Sequence, residues 1–359
     1  MPDDPSDIYK KRIESLRRLA ELDHLLILNG TNIRYLTGFT GGEGALLIGP
    51  DRVNLLVDGR YTTQAALETS GFEITEFQNK AEGIFSALQK QKADRVGFEA
   101  SSVTLSEYRK LEDSLGGFFL KPVSGRLDFL RAVKDAGEIA RIREAIRIAE
   151  KALTDLKNLI KPGIRETEIA VELEYRMRKA GAERMSFDTI VATGPNAALP
   201  HATPGSRQVE AGDFVLIDYG AVFAGYHSDQ TRMFCAGAPS DKQRKAYQAV
   251  LGAHDRAITA IKAGVSCKEI DGIARSFLEE ESMGKYFSHG TGHGVGLEVH
   301  EAPTLSRGRE DKLEAGMVVT VEPGVYFPEV WGIRIEDMVL VGEDGPEVLT
   351  KMFNGLVEL

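Results

Sequence analysis

The chain has 359 residues, 42% of them hydrophobic and 27% charged, with 37 Gly and 13 Pro. At roughly 150 residues per domain this length predicts about two domains with real cores, and the composition excludes a disordered or fibrous chain. The 54 acidic against 44 basic residues give a net charge of -10; no basic block could neutralise a row of phosphates, so nucleic acid and anionic membrane are not expected as partners.

An amphipathic helix opens the chain at Ile8–Leu22, with Ile13, Leu16 and Ala20 on one face. The segment Met1–Ala20 is too charged for a secretory signal, and no apolar run reaches the ~18 residues of a membrane span, so a cytoplasmic protein is expected. Short apolar runs at Leu25–Leu28, Ala45–Ile48, Val53–Val57 and Arg95–Phe98 alternate with helical stretches at Thr62–Glu68 and Leu105–Leu115. That alternation predicts an α/β domain. It ends near Pro122–Gly125, and the domains are placed at 1–127 and 128–359. A long helix follows, with Ile139, Ile142, Ile146, Ala149, Leu153, Leu156 and Ile160 at spacings of three or four until Pro162-Gly163 stops it. Cys235 and Cys267 form no CxxC motif, which excludes a zinc ribbon or redox dithiol.

The second part repeats itself. Lys161-Pro-Gly-Ile164 resembles Lys262-Ala-Gly-Val265, Pro200-His201 resembles Val299-His300, and Val209-Glu-Ala-Gly leading to Asp218-Tyr-Gly220 resembles Leu313-Glu-Ala-Gly leading to Glu322-Pro-Gly324, at offsets of 101, 99 and 104 residues. Two copies of this length predict halves related by an approximate two-fold, closing on a shared site. Equivalent residues then meet: Asp218 with Glu322, and His201 with His300. Asp229 and Glu336 lie just downstream in each half, and strand alternation can turn them to the same face. Four buried carboxylates repel one another unless cations sit between them. With one imidazole, His293 in the run His289-Gly-Thr-Gly-His-Gly-Val-Gly296, the set suits Mn²⁺, Co²⁺, Zn²⁺ or Mg²⁺.

On these residues the second part resembles the pita-bread metallopeptidases, a family that includes methionine aminopeptidase, aminopeptidase P and prolidase. The family's five metal ligands fall on Asp218, Asp229, His293, Glu322 and Glu336. Asn32–Thr40 and Asp58-Gly-Arg-Tyr61 resemble the amino-terminal domain of the proline-specific members and of creatinase. Methionine aminopeptidases lack that domain, and creatinase lacks the metal ligands. The fold class implied is an α/β creatinase/prolidase-like N-terminal domain followed by an α+β pita-bread domain with an internal pseudo-two-fold repeat.

The resemblance also implies two divalent ions per subunit, Mn²⁺ ahead of Co²⁺ or Zn²⁺, bridged by Asp229 and Glu336. Asp218 serves one ion, and His293 joins the Glu322 side. A shared water attacks the scissile carbonyl, with Glu322 accepting its proton. His201 and His300 contact substrate and stabilise the tetrahedral intermediate, while His289 and Arg334 support the ligands or line the substrate pocket. A homodimer is the implied assembly, and peptides with proline at the second position are the implied substrates. His227 reads as structural, and His24 and His254 as ordinary strand or helix residues. The glycine runs lack the Walker lysine and the GxGxxG spacing, so they serve close backbone approach rather than nucleotide binding. An Xaa-Pro aminopeptidase is the first expectation, an Xaa-Pro dipeptidase the alternative, and a metal-free peptide-binding module the reading from another class. Arg307 and Arg309 are the cations that could hold a dipeptide's free carboxylate.

Overall fold

The computed structural model describes residues 5–20, 22–123, 125–352 and 355–359. These form two compact units, Met1–Arg131 and Ala132–Leu359. The opening helix is observed as Pro5–Ala20, with Ile13 and Leu16 buried; Glu21 at its expected end, and Ser124 in the expected boundary turn, lie outside the described residues. Arg131 stays with the first unit because its guanidinium donates to Asn32 Oδ1 at 3.0 Å, while Tyr35 Oη donates to the Leu130 carbonyl at 2.9 Å.

The first unit is built on a six-stranded sheet in the order Glu73–Phe77, Val53–Asp58, Ala45–Ile48, His24–Ile27, Arg95–Glu99, Phe119–Val123. The central runs His24–Ile27 and Ala45–Ile48 are buried along their whole length, which requires cover on both faces and explains their uninterrupted apolar sequence. Leu26, Leu47 and Leu56 form one core with Ile84, Ala87 and Leu88 of the helix Lys80–Lys90. Sequence periodicity did not anticipate that helix, nor the strands Glu73–Phe77 and Phe119–Val123.

The second unit shows why its sequence repeats. A helix pair, Ala136–Leu156 and Glu166–Lys179, precedes the strands Ile190–Thr193, Phe214–Tyr219 and Gln230–Cys235. A second pair, Asp241–Ala260 and Cys267–Glu280, precedes Gly292–Gly294, Val318–Val321 and Asp337–Val341. In both halves the second strand lies between the first and third. The long first helix starts on a capping box at Asp135 and Glu138 and gives way to a 3₁₀ turn at Lys157–Leu159, just before the expected proline-glycine stop. Apolar side chains from its face, including Ile148, Ala152 and Leu156, pack against Ile169, Leu173, Val215 and Ile217.

Loops carrying chemistry are tied to this frame by buried charges. Glu166, fully buried at the start of its helix, accepts hydrogen bonds from the Thr193 and Gly205 amides at 2.8 and 2.9 Å, from Thr193 Oγ1 at 2.9 Å and from Asn196 Nδ2 at 3.0 Å. It thereby closes both ends of the loop that bears His201. Glu166→Ala leaves several buried donors without an acceptor and should cost on the order of 3 kcal/mol. A urea midpoint indistinguishable from wild type, followed by far-UV circular dichroism, would contradict this.

Candidate metal centre

Register decides which acids meet. Asp218 pairs with Thr231 across the antiparallel strands Phe214–Tyr219 and Gln230–Cys235, so the two share a face, and Asp229, two residues before Thr231, points the same way. In the second half Val321 pairs with Asp337, which brings Glu322 and Glu336, one step further along, opposite each other. The halves meet where Thr231 Oγ1 donates to Glu336 Oε2 at 2.7 Å. His293 enters from the strand Gly292–Gly294, whose backbone runs so close to its neighbours that a Cβ at Gly292 would lie 2.0 Å from the Thr320 carbonyl oxygen and one at Gly294 2.2 Å from that of Ala302. The glycine run therefore serves to press the histidine-bearing strand into place.

The donor atoms of Asp229, His293 and Glu336 lie within 4.8 Å of one another. His293 Nε2 is 3.3 Å from Glu322 Oε1 and 3.6 Å from Asp229 Oδ2. Its Nδ1 faces the Gly294 carbonyl at 3.1 Å, an arrangement that fixes the Nδ1–H tautomer and turns the Nε2 lone pair towards two carboxylates. Burial holds the His293 pKa down, which disfavours a proton between these groups. Asp218 gives one oxygen to Arg334 Nη2 at 2.5 Å, while its buried Oδ1 has no hydrogen-bond partner. Burial, then the neighbouring carboxylates, pushes Asp229 and Glu336 well above the ordinary range, and burial also raises Glu322. An orphaned oxygen, a lone pair facing oxygens and acids that resist ionisation all fit a site for divalent cations.

A cavity of about 700 Å³ opens onto these groups, with His201, His289 and His300 also on its wall. His201 and His300 are exposed, and the His300 ring lies 4.2 Å from that of His293, centroid to centroid. His289 Nδ1 faces the Gly290 carbonyl at 2.8 Å and its Nε2 lies 2.9 Å from Tyr326 Oη, the same hydroxyl that accepts from Arg334 Nη1 at 2.8 Å. Arg334 Nε donates to Thr231 Oγ1 at 3.0 Å, so one guanidinium braces Asp218 directly and Glu336 through Thr231. The nine residues that the sequence suggested as ligands, substrate-contacting histidines or their supports all line this cavity.

Three readings are refined. Arg307 is not on the cavity wall; it is 70% exposed and lies 4.0 Å from Glu279, and Arg309 is likewise absent from the lining. His227 is buried with its Nδ1 3.2 Å from the Gly296 carbonyl, and burial pulls its pKa down to about 4, in keeping with a structural residue. His254 is no ordinary helix residue: its ring is fully buried between two carboxylates, Asp255 and Asp337. Sequence reasoning also missed Thr231 and Tyr326. Period-two alternation from Asp229 could have found Thr231, whereas nothing local marks Tyr326.

Comparison with known proteins agrees with this geometry. The model of metallopeptidase family M24 matches residues 140–343, and that of the creatinase/prolidase N-terminal domain matches residues 11–133. An Xaa-Pro dipeptidase of Pyrococcus furiosus is 38% identical over 95% of this chain and 98% of its own length. Among solved structures, an Xaa-Pro dipeptidase from Bacillus anthracis superposes with a TM-score of 0.95 at 40% identity, covering 98% of this chain and all of its own. An X-Pro aminopeptidase from Thermotoga maritima gives 0.90 at 38% identity, covering 96% and 99%.

The raised carboxyls set a pH dependence for the metal-free chain. Protons bound more tightly folded than unfolded stabilise at low pH, so stability should fall as pH rises from the ordinary carboxyl values of 3.8 and 4.5 towards neutrality. Added Mn²⁺ should restore it at neutral pH and release protons on binding. Calorimetry in buffers of different ionisation enthalpy measures that release; binding without proton release would show that these acids are already ionised.

Proposed function

Because the chain belongs to metallopeptidase family M24 and is a metallo-exopeptidase, we propose that it hydrolyses the bond between an N-terminal residue and a following proline, with Xaa-Pro dipeptides as the preferred substrates. The observation that carries the proposal is the cavity wall where Asp229, His293 and Glu336 converge. The dipeptide preference draws on the relatives from Pyrococcus furiosus and Bacillus anthracis, and it reverses the order expected from sequence, where the aminopeptidase came first. A proline nitrogen carries no N–H and restricts the residue before it, so its cleavage calls for a shaped pocket.

In this reading Asp218, Asp229, His293, Glu322 and Glu336 would hold two divalent ions, Mn²⁺ ahead of Co²⁺ or Zn²⁺. Such a pair of ions supplies Lewis acidity and a nucleophile at neutral pH. Glu322 would take the proton from the attacking water. His201 and His300, exposed on the cavity wall, orient the peptide and stabilise the oxyanion. Arg334 holds the Asp218 carboxylate in place by a charge-assisted hydrogen bond.

One observation favours the aminopeptidase as a second reading. Arg334 is the sole Lys or Arg among the described residues of the cavity wall, and it is committed to Asp218, Tyr326 and Thr231. The free carboxylate of a dipeptide would then fall to the histidines.

Rates on Xaa-Pro and Xaa-Pro-Yaa peptides separate the two. We expect kcat/KM for the dipeptide to exceed that for the tripeptide by about tenfold, one missing charge-assisted contact being worth roughly 1.5 kcal/mol. The opposite ranking establishes the aminopeptidase, and full activity after exhaustive chelation overturns the metal-dependent reading. Asp229→Asn should lower kcat by about 100-fold or more and reduce bound Mn²⁺; an active variant with full Mn²⁺ content removes Asp229 from the bridge.

A further inference from the structure

Behind the acids, on the side away from the cavity, lies a second set of buried charges. Strand alternation creates it: Thr231 faces Glu336, so Arg232, the next residue, faces the other way, and Asp337 turns away from the site just as Glu336 turns towards it. Arg232 Nη2 donates to Asp337 Oδ1 at 2.7 Å, with both side chains at most 2% exposed. Arg232 Nη1 donates to the backbone carbonyls of Glu336 and Thr231 at 2.6 and 3.0 Å. Asp337 Oδ1 also accepts from Thr350 Oγ1 at 2.5 Å, and Asp337 Oδ2 lies 3.1 Å from Nε2 of His254. The other ring nitrogen of His254 is 2.9 Å from Asp255 Oδ1, on a side chain that is 63% exposed. A chain of polar contacts thus runs from the surface of the helix Asp241–Ala260 to the backbone of Glu336.

We propose that His254, Asp337 and Arg232 act as a positioning clamp for the metal centre, fixing the backbone of Thr231 and Glu336 so that Asp229 and Glu336 hold their cations at the right separation. The proposal rests on the reading of Asp229 and Glu336 as cation ligands. Burying an ion pair gains little over a well-packed apolar pair, so stability alone does not account for the buried Arg232–Asp337 pair with His254 beside it. What the guanidinium adds is geometry, since its rigid fork holds a carboxylate and two carbonyls at once. His254 stands at the other oxygen of that carboxylate, its Nε2 3.1 Å from Asp337 Oδ2 while Arg232 takes Oδ1. None of the three lines the cavity. Their effect therefore passes through the ligands, as with groups that orient metal-binding side chains elsewhere.

The test compares wild type with His254→Gln and with the milder Asp255→Asn, whose exposed position does not endanger folding. Mn²⁺ affinity of the metal-stripped full chain is measured by titration calorimetry, and amide exchange by mass spectrometry, also without metal. The proposal expects His254→Gln to weaken Mn²⁺ binding about 10- to 100-fold, Asp255→Asn to weaken it less, and both to speed exchange locally at residues 230–232 and 335–338. It is overturned if the variants lower Tm or loosen the helix Asp241–Ala260 while Mn²⁺ affinity and exchange at those two segments stay at wild-type values. Should His254→Gln not fold, Asp255→Asn alone decides between these outcomes. Failure of the metal reading itself is seen separately, as wild type that binds no Mn²⁺; local loosening without any metal effect would then make the clamp purely structural and overturn the proposal too.

Discussion

The second unit is organised around a repulsion. Asp218, Asp229, Glu322 and Glu336 are brought together on one cavity wall, where burial and like charge oppose the ionised forms of Asp229 and Glu336 and burial opposes that of Glu322. A protein without cations at such a place would do better with neutral side chains, so the arrangement makes physical sense only as one half of an ionic structure. Much of the surrounding detail follows from making that arrangement mechanically firm. Arg334 offsets part of the charge from within, and the tightly approached strand around Gly292 and Gly294 delivers the single imidazole.

Firmness is achieved from two directions. On the cavity side, Arg334, Tyr326 and His289 form a hydrogen-bonded row in which each donor meets an acceptor. On the reverse side, Arg232 and Asp337 join strands from different halves. The two guanidiniums both reach Thr231, Arg334 at its hydroxyl and Arg232 at its carbonyl. Thr231 is accordingly the residue through which the front and back of the centre are coupled, although it carries no charge and sits in a motif whose acid draws more notice.

The sequence was most legible where burial is complete and least where it is partial. The strands His24–Ile27 and Ala45–Ile48 declare themselves as apolar runs because both of their faces are covered. Glu73–Phe77 and Phe119–Val123 do not, because they are the two edges of that sheet and leave all but one of their residues exposed or half-buried. The four acids and the histidine of the centre were legible because duplication repeats the surroundings of Asp218 and Glu322 and a family resemblance supplied the pattern. His254 was hidden for the opposite reason: its partner Asp337 is brought beside it by tertiary packing alone, and a lone histidine on an apolar helix face looks like core. Arg307 misled in the complementary way, being near His300 in sequence yet turned towards Glu279 in space.

The duplicated build of the second unit carries a consequence for how its parts depend on one another. Of the group that could hold a metal ion, Asp229 comes from one half and His293 and Glu336 from the other, so neither half carries more than a fragment of it. Neither fragment alone makes up the group. Occupancy of the centre by an ion is therefore a property of the joined halves, and it reports that both have folded and met in register, much as a lock records that two doors have been brought flush.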